Sequence, residues 1–126
     1  MIGLALASLG CQPDAPPCHP PVARIGCKTS NSDANCYLLP GDTFNTEVTL
    51  DGSTSADIID DPTAARPLRY RWEIPAGRYR LARGALTDPL IVIKGQGDLP
   101  IPVKLTVTDP TGLSGVAERI VGISLR

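Results

Sequence analysis

Histidine is nearly absent, aromatics are scarce, and no apolar run approaches the length of a membrane span. The chain carries one His, one Trp, one Phe and three Tyr among 126 residues. The only imidazole, His19, lies beside Cys18 in a proline-rich stretch. A Ser–His or Cys–His pair therefore has no base to draw on, and zinc would lack its three or four converging ligands. The cysteine spacings contain no C-x-x-C, which removes the usual zinc and redox patterns. Charge of one sign is also missing. Twelve Lys and Arg against 13 Asp and Glu leave a net charge of -1, so no global field favours nucleic acid. Thirteen Pro and 12 Gly, spread along the chain, work against long helices. With so few aromatics, Trp72 and Phe44 are expected as core anchors.

What is present is alternation. Phe44, Thr46, Val48 and Leu50 share one face of an extended segment, with Asn45, Glu47 and Thr49 on the other. Leu68, Tyr70, Trp72 and Ile74 alternate with Arg69, Arg71 and Glu73. Val103, Leu105 and Val107 alternate with Lys104, Thr106 and Thr108. Period-two patterning of this kind means one buried and one wet face, as in an antiparallel sheet. Pro21 to Ile25 reads as an entry strand and Pro89 to Ile93 as a continuous apolar strand. Residues 116–125 read as a last strand whose inward set is ambiguous at Ile120 and Val121. Turn signals separate the runs: Asp51-Gly52, Pro75-Ala-Gly77, Gly95-Gln-Gly97 and Asp109-Pro-Thr-Gly112. About seven short strands so spaced predict an all-β antiparallel sandwich, one domain in size.

Residues 1–10 read as a truncated signal segment whose apolar run, Ile2-Gly-Leu-Ala-Leu-Ala-Ser-Leu9, ends at Gly10-Cys11. A span needs about 20 apolar residues, so this run is too short to cross a bilayer. It resembles the end of a bacterial lipoprotein signal, in which a small residue precedes the cysteine that takes the lipid. That resemblance implies Cys11 as lipid attachment point. No Lys or Arg precedes the run, and Ser8 stands where the pattern favours Leu. Residues 11–20 form a tether. Gln12-Pro-Asp-Ala-Pro-Pro-Cys-His-Pro-Pro21 is half proline, which favours semi-rigid polyproline II.

Secretion makes disulfides plausible for Cys11, Cys18, Cys27 and Cys36. Chain entropy separates the pairings poorly: about 2.7 kcal/mol for a ten-residue loop and about 3.2 for Cys18 to Cys36. Local chemistry favours Cys27 with Cys36, because Lys28-Thr-Ser-Asn-Ser-Asp-Ala-Asn35 between them is a polar turn-forming segment. The bridge is expected to close a hairpin-like excursion, with Cys18 free or paired with another molecule.

Three segments together resemble the polycystic-kidney-disease (PKD) type of immunoglobulin-like domain. They are Leu50-Asp-Gly-Ser-Thr-Ser-Ala-Asp57, Tyr70-Arg-Trp72, and Leu105-Thr-Val-Thr-Asp109. The resemblance covers about residues 21–125 and implies an immunoglobulin-like sandwich that serves as a spacer or binding module. Pro75-Ala-Gly77, where many members carry Phe-Gly-Asp-Gly, and the segment holding Cys27 and Cys36 depart from the pattern.

Two charge clusters remain. Asp51, Asp57, Asp60 and Asp61 bunch around one loop and offer carboxylates to calcium. Asp51 and Asp57 serve equally as turn residues accepting backbone N–H groups, the preferred reading. Arg66, Arg69, Arg71, Arg78, Arg80 and Arg83 lie in a segment whose only acid is Glu73, with Arg69 and Arg71 on one strand face by period. Such a set reads as solvated surface or as a face for anionic glycan. Neither Gly112-Leu-Ser-Gly115 nor Gly95-Gln-Gly97 makes a catalytic or phosphate motif. The expectation is a non-enzymatic, lipid-anchored, extracytoplasmic module without a cofactor or nucleic-acid partner. It would act structurally or through a protein or cell-envelope polysaccharide partner.

Overall fold

A computed structural model describes residues 19–30, 36–57 and 67–124. These residues are all-β, with eight strands and no helix among them: β1 (Gly26–Thr29), β2 (Tyr37–Leu38), β3 (Thr43–Asp51), β4 (Arg69–Glu73), β5 (Tyr79–Arg83), β6 (Leu90–Gln96), β7 (Ile101–Thr108) and β8 (Ser114–Ile123). They form two four-stranded sheets in a sandwich-like arrangement, ordered β1-β3-β6-β5 and β2-β8-β7-β4. Every pairing is antiparallel except β2 with β8, which is parallel. The expectation of wholly antiparallel sheets fails at this short pair, which is two residues long and too brief to show any period.

The alternating segments build the core. Val48 and Leu50 of β3, Ile91 and Ile93 of β6, and Val103, Leu105 and Val107 of β7 are buried together. The single indole sits among them, 2% exposed. Its Nε1–H donates to the Asp88 carbonyl at 2.7 Å, so the one polar atom of the ring is satisfied. The Trp72 backbone N–H donates to the Leu86 carbonyl at 2.8 Å, so the loop after β5 covers part of the β4 edge. Register settles the ambiguous end of the last strand. Val121 is fully buried while Ile120 is 59% exposed.

Three expectations are corrected and one unread strand is added. The entry segment Pro21 to Ile25 is not a strand. Only Val22 bridges Ala56, and pairing with β3 begins at Gly26. Gly95 is no turn residue. It lies within β6, where a Cβ would come 2.8 Å from Leu38 Cδ1 and 3.0 Å from Ile101 Cδ1. The strand β5 was not read from the sequence at all. Phe44 is not a core anchor. It is half-buried at an irregularity in the β3–β6 register and has φ of 64°, a conformation that costs a bulky residue roughly 1–2 kcal/mol.

The N-terminal segment is tied to the β3–β4 loop. Val22 and Ala56 exchange backbone hydrogen bonds of 2.7 and 3.0 Å, and the Arg24 N–H donates to Ser55 Oγ at 2.9 Å. Against β8 this segment lies so close that a Cβ on Gly115 would sit 1.9 Å from the Pro21 carbonyl oxygen. Gly115→Ala is therefore expected to cost about 1–3 kcal/mol by overpacking. A Cβ on Gly26 meets only ordinary contacts, at 3.6 Å, and Gly26→Ala should be free of crowding. Urea unfolding of the two variants checks this; equal midpoints would count against the packing of residues 21–25 on β8.

Candidate functional site

The cysteines give the first element of function. Cys27 and Cys36 are joined, with Cα atoms 5.4 Å apart, in agreement with the sequence reading of that pair. The topology of the bridge differs from the hairpin-like excursion expected. Cys27 belongs to β1, an outer strand of one sheet, and Cys36 immediately precedes β2, an outer strand of the other. The bond thus clasps the two sheets along one side of the sandwich. Cys11 and Cys18 lie outside the described residues.

The arginines are not gathered on one face. Arg69 and Arg71 are exposed on the outer face of β4, as their period predicted. With Tyr70, Thr106 and Thr108 they line a shallow groove of about 270 Å³. Tyr70 itself turns inward against the core. Burial raises its phenol above the ordinary value, and the Asp51 carboxylate adds to this. Arg78 is spent on the β6–β7 turn, where its Nη2 donates to the Leu99 carbonyl at 2.5 Å and lies 3.4 Å from Asp98 Oδ1. Arg80 and Arg83 belong to β5, in the opposite sheet. Arg66 lies outside the described residues.

The acidic loop is likewise divided. Asp51 Oδ1 accepts the Ser53 N–H at 2.8 Å, the turn-forming role preferred above. Asp57 is 4% exposed, and Asp60 and Asp61 lie outside the described residues. No group of three His, Cys, Asp or Glu side chains converges among the described residues. A second Asx turn ends β7. There Asp109 Oδ1 accepts the N–H groups of Thr111 at 2.9 Å and Leu113 at 3.0 Å, and the Thr111 hydroxyl at 2.6 Å.

Two surface features went unread in the sequence. The first is an apolar groove of about 390 Å³ on the outer face of the β2-β8-β7-β4 sheet. Ile74, Pro75, Pro102 and Ile120 line it, and Glu73, Lys104, Glu118 and Arg119 rim it. The second lies on the outer face of the other sheet. Register aligns Glu47, Lys94 and Arg80 across β3, β6 and β5. The Arg80 guanidinium sits 4.1 Å from the Phe44 ring centroid, and Arg83 reaches Glu47 at 3.4 Å. No sequence period marks this group, because it is assembled across three strands. In comparisons with known proteins, no family model, no curated protein and no solved structure matches this chain.

Proposed function

We propose that the protein is an immunoglobulin-like interaction module of the PKD type, working outside the cytoplasm and held at a bacterial membrane by lipid on Cys11. The observation that carries this reading is the Cys27–Cys36 clasp. A structural disulfide of this kind is compatible with an oxidising compartment. The strand order supports the fold assignment. A β1-β3-β6-β5 sheet facing β8-β7-β4 has the order of the ABED and GFC sheets of immunoglobulin domains, and β4, in the place of strand C, carries the buried Trp.

Lipid labelling in the native host tests the anchoring. The wild-type protein should incorporate a tagged fatty acid and fractionate with membranes, because two or more acyl chains hold a protein firmly. Cys11→Ser should abolish both. Unlabelled wild type in the soluble fraction would overturn the proposal. A second reading, recognition of an anionic polymer, is favoured by the stacking of Arg80 on Phe44 beside Lys94.

A further inference from the structure

We infer that the outer face of the β1-β3-β6-β5 sheet, at Phe44, Arg80, Arg83 and Lys94, is a binding site for a linear anionic polysaccharide. The inference rests on the reading of the domain as an interaction module and names its site and ligand class. It moves the basic face away from Arg69 and Arg71, where the sequence period placed it.

The argument starts from the register. Val48, Leu50, Ile91 and Ile93 are fully buried, so the residues between them lie on the opposite face of the sheet, where Glu47, Thr49 and Lys94 are half-buried and Val92 is covered. Arg80 is paired with Lys94 and Arg83 with Val92, which places both guanidinium groups on that outer face. Strands lie about 4.8 Å apart and successive outward residues about 6.6 Å apart, so Arg80, Lys94 and Arg83 form a compact cationic triangle. Glu47 is the acid within reach and pairs with Arg83 at 3.4 Å. A surplus of positive charge is left on this face.

Backbone strain is the independent observation. Phe44 adopts φ of 64°, where a residue with a bulky side chain is rare. An Asp42 turn holds it there. Asp42 Oδ1 accepts the Asn45 N–H at 2.9 Å, and Oδ2 accepts the Thr46 hydroxyl. The outcome is an aromatic ring on the outer face under Arg80 rather than in the core. Stacking on an aromatic fixes the guanidinium plane while its N–H groups remain able to fork to a carboxylate or sulfate. Strain that presents an aromatic and a cation together on a surface points to a ligand.

Arg80 and Arg83 stand on β5 and Lys94 on the neighbouring β6, so the cations reach inward from the sheet edge as well as along it. An acidic peptide binding by strand addition would run along β5 and use its backbone. A ligand lying across the face from β5 to β6 engages side chains alone, as a charged sugar polymer does.

The test uses the purified, disulfide-intact protein on immobilised heparin and on immobilised polygalacturonate, which separate sulfate from carboxylate recognition. Retention on at least one should fall steeply with ionic strength, as a Coulombic site requires. Arg80→Gln combined with Lys94→Gln should weaken binding about tenfold or more, as loss of two charge-assisted contacts implies. Arg69→Gln combined with Arg71→Gln should leave it within about twofold. Phe44→Gly relieves the positive φ, so it should keep the fold by circular dichroism yet bind several-fold more weakly. Equal loss in the β4 double variant, no loss in the β5–β6 double variant, or matching Phe44-independent retention on polyglutamate would overturn the inference. Lipid labelling of the host protein is indifferent to these substitutions, so the site and the anchored module can fail separately.

Discussion

Trp72→Ala should lower the unfolding free energy by about 3–5 kcal/mol, the largest effect expected of any single substitution in the described core. Two consequences combine, a cavity and a lost hydrogen bond. The indole leaves a cavity beside Leu105 and the backbone of Gly52. A Cβ on Gly52 would lie 2.7 Å from Leu105 Cδ2 and 3.3 Å from Trp72 Cζ2, so the packing there has no slack. The Asp88 carbonyl loses its donor. The loop at Leu86 and Asp88, which touches β4 through the Trp72 backbone and side chain, loses one of those two ties. For a domain with about 5–15 kcal/mol in all, this is a large share of the total. Trp72→Phe keeps much of the volume but not the N–H, and should fall between wild type and alanine. Urea denaturation followed by far-UV circular dichroism measures both. A loss below about 1 kcal/mol, outside the range for a buried large-to-small change, or a wild-type tryptophan emission like that of free indole in water, would sink this picture of the core.

The second large effect concerns Cys27 and Cys36. Removing both as alanines should cost about 2–3 kcal/mol from the denatured state alone, for a closed loop of about ten residues. The intersheet placement of the bond makes its effect local in a testable way. Amide exchange should accelerate in β1, β2 and the adjoining end of β8, and little in β4. Peptide mapping without reduction should recover Cys27 joined to Cys36. Uniform acceleration across both sheets would mean that the bond acts only through the unfolded chain.

The strands that bury one face were legible because burial imposes period two. Tyr70 and Trp72, and Val103, Leu105 and Val107, fall where alternation puts them. β5 was invisible for the converse reason. It is an outer strand in which Arg80, Leu81, Ala82 and Arg83 are all exposed, so no burial selects an apolar partner for every second position. The error at Gly95 has a related cause. A glycine can mark a turn or a place where neighbouring side chains fill the space of a Cβ, and composition alone does not separate the two. Phe44 shows the limit most clearly. Its residue type argued for the core, and only the backbone at Asp42 to Thr46 turns it outward. The pairing of Cys27 with Cys36 was readable from the polar segment between them. That the bond crosses from one sheet to the other was not, because β2 is too short to announce its sheet.

The parallel pairing of β2 with β8 has a mechanical meaning. Gly122 N–H donates to the Cys36 carbonyl at 2.9 Å and Ser124 N–H to the Leu38 carbonyl at 2.8 Å. In a parallel pair, tension entering one strand at its start and leaving the other at its end pulls along the strands. The two hydrogen bonds are then loaded together in shear, where an antiparallel hairpin would unzip one bond at a time. The Cys27–Cys36 bond carries such a pull straight from β1 to the start of β2. A pull applied in this way would thus pass along one side of the domain, leaving the face at Arg80 and Phe44 outside its path.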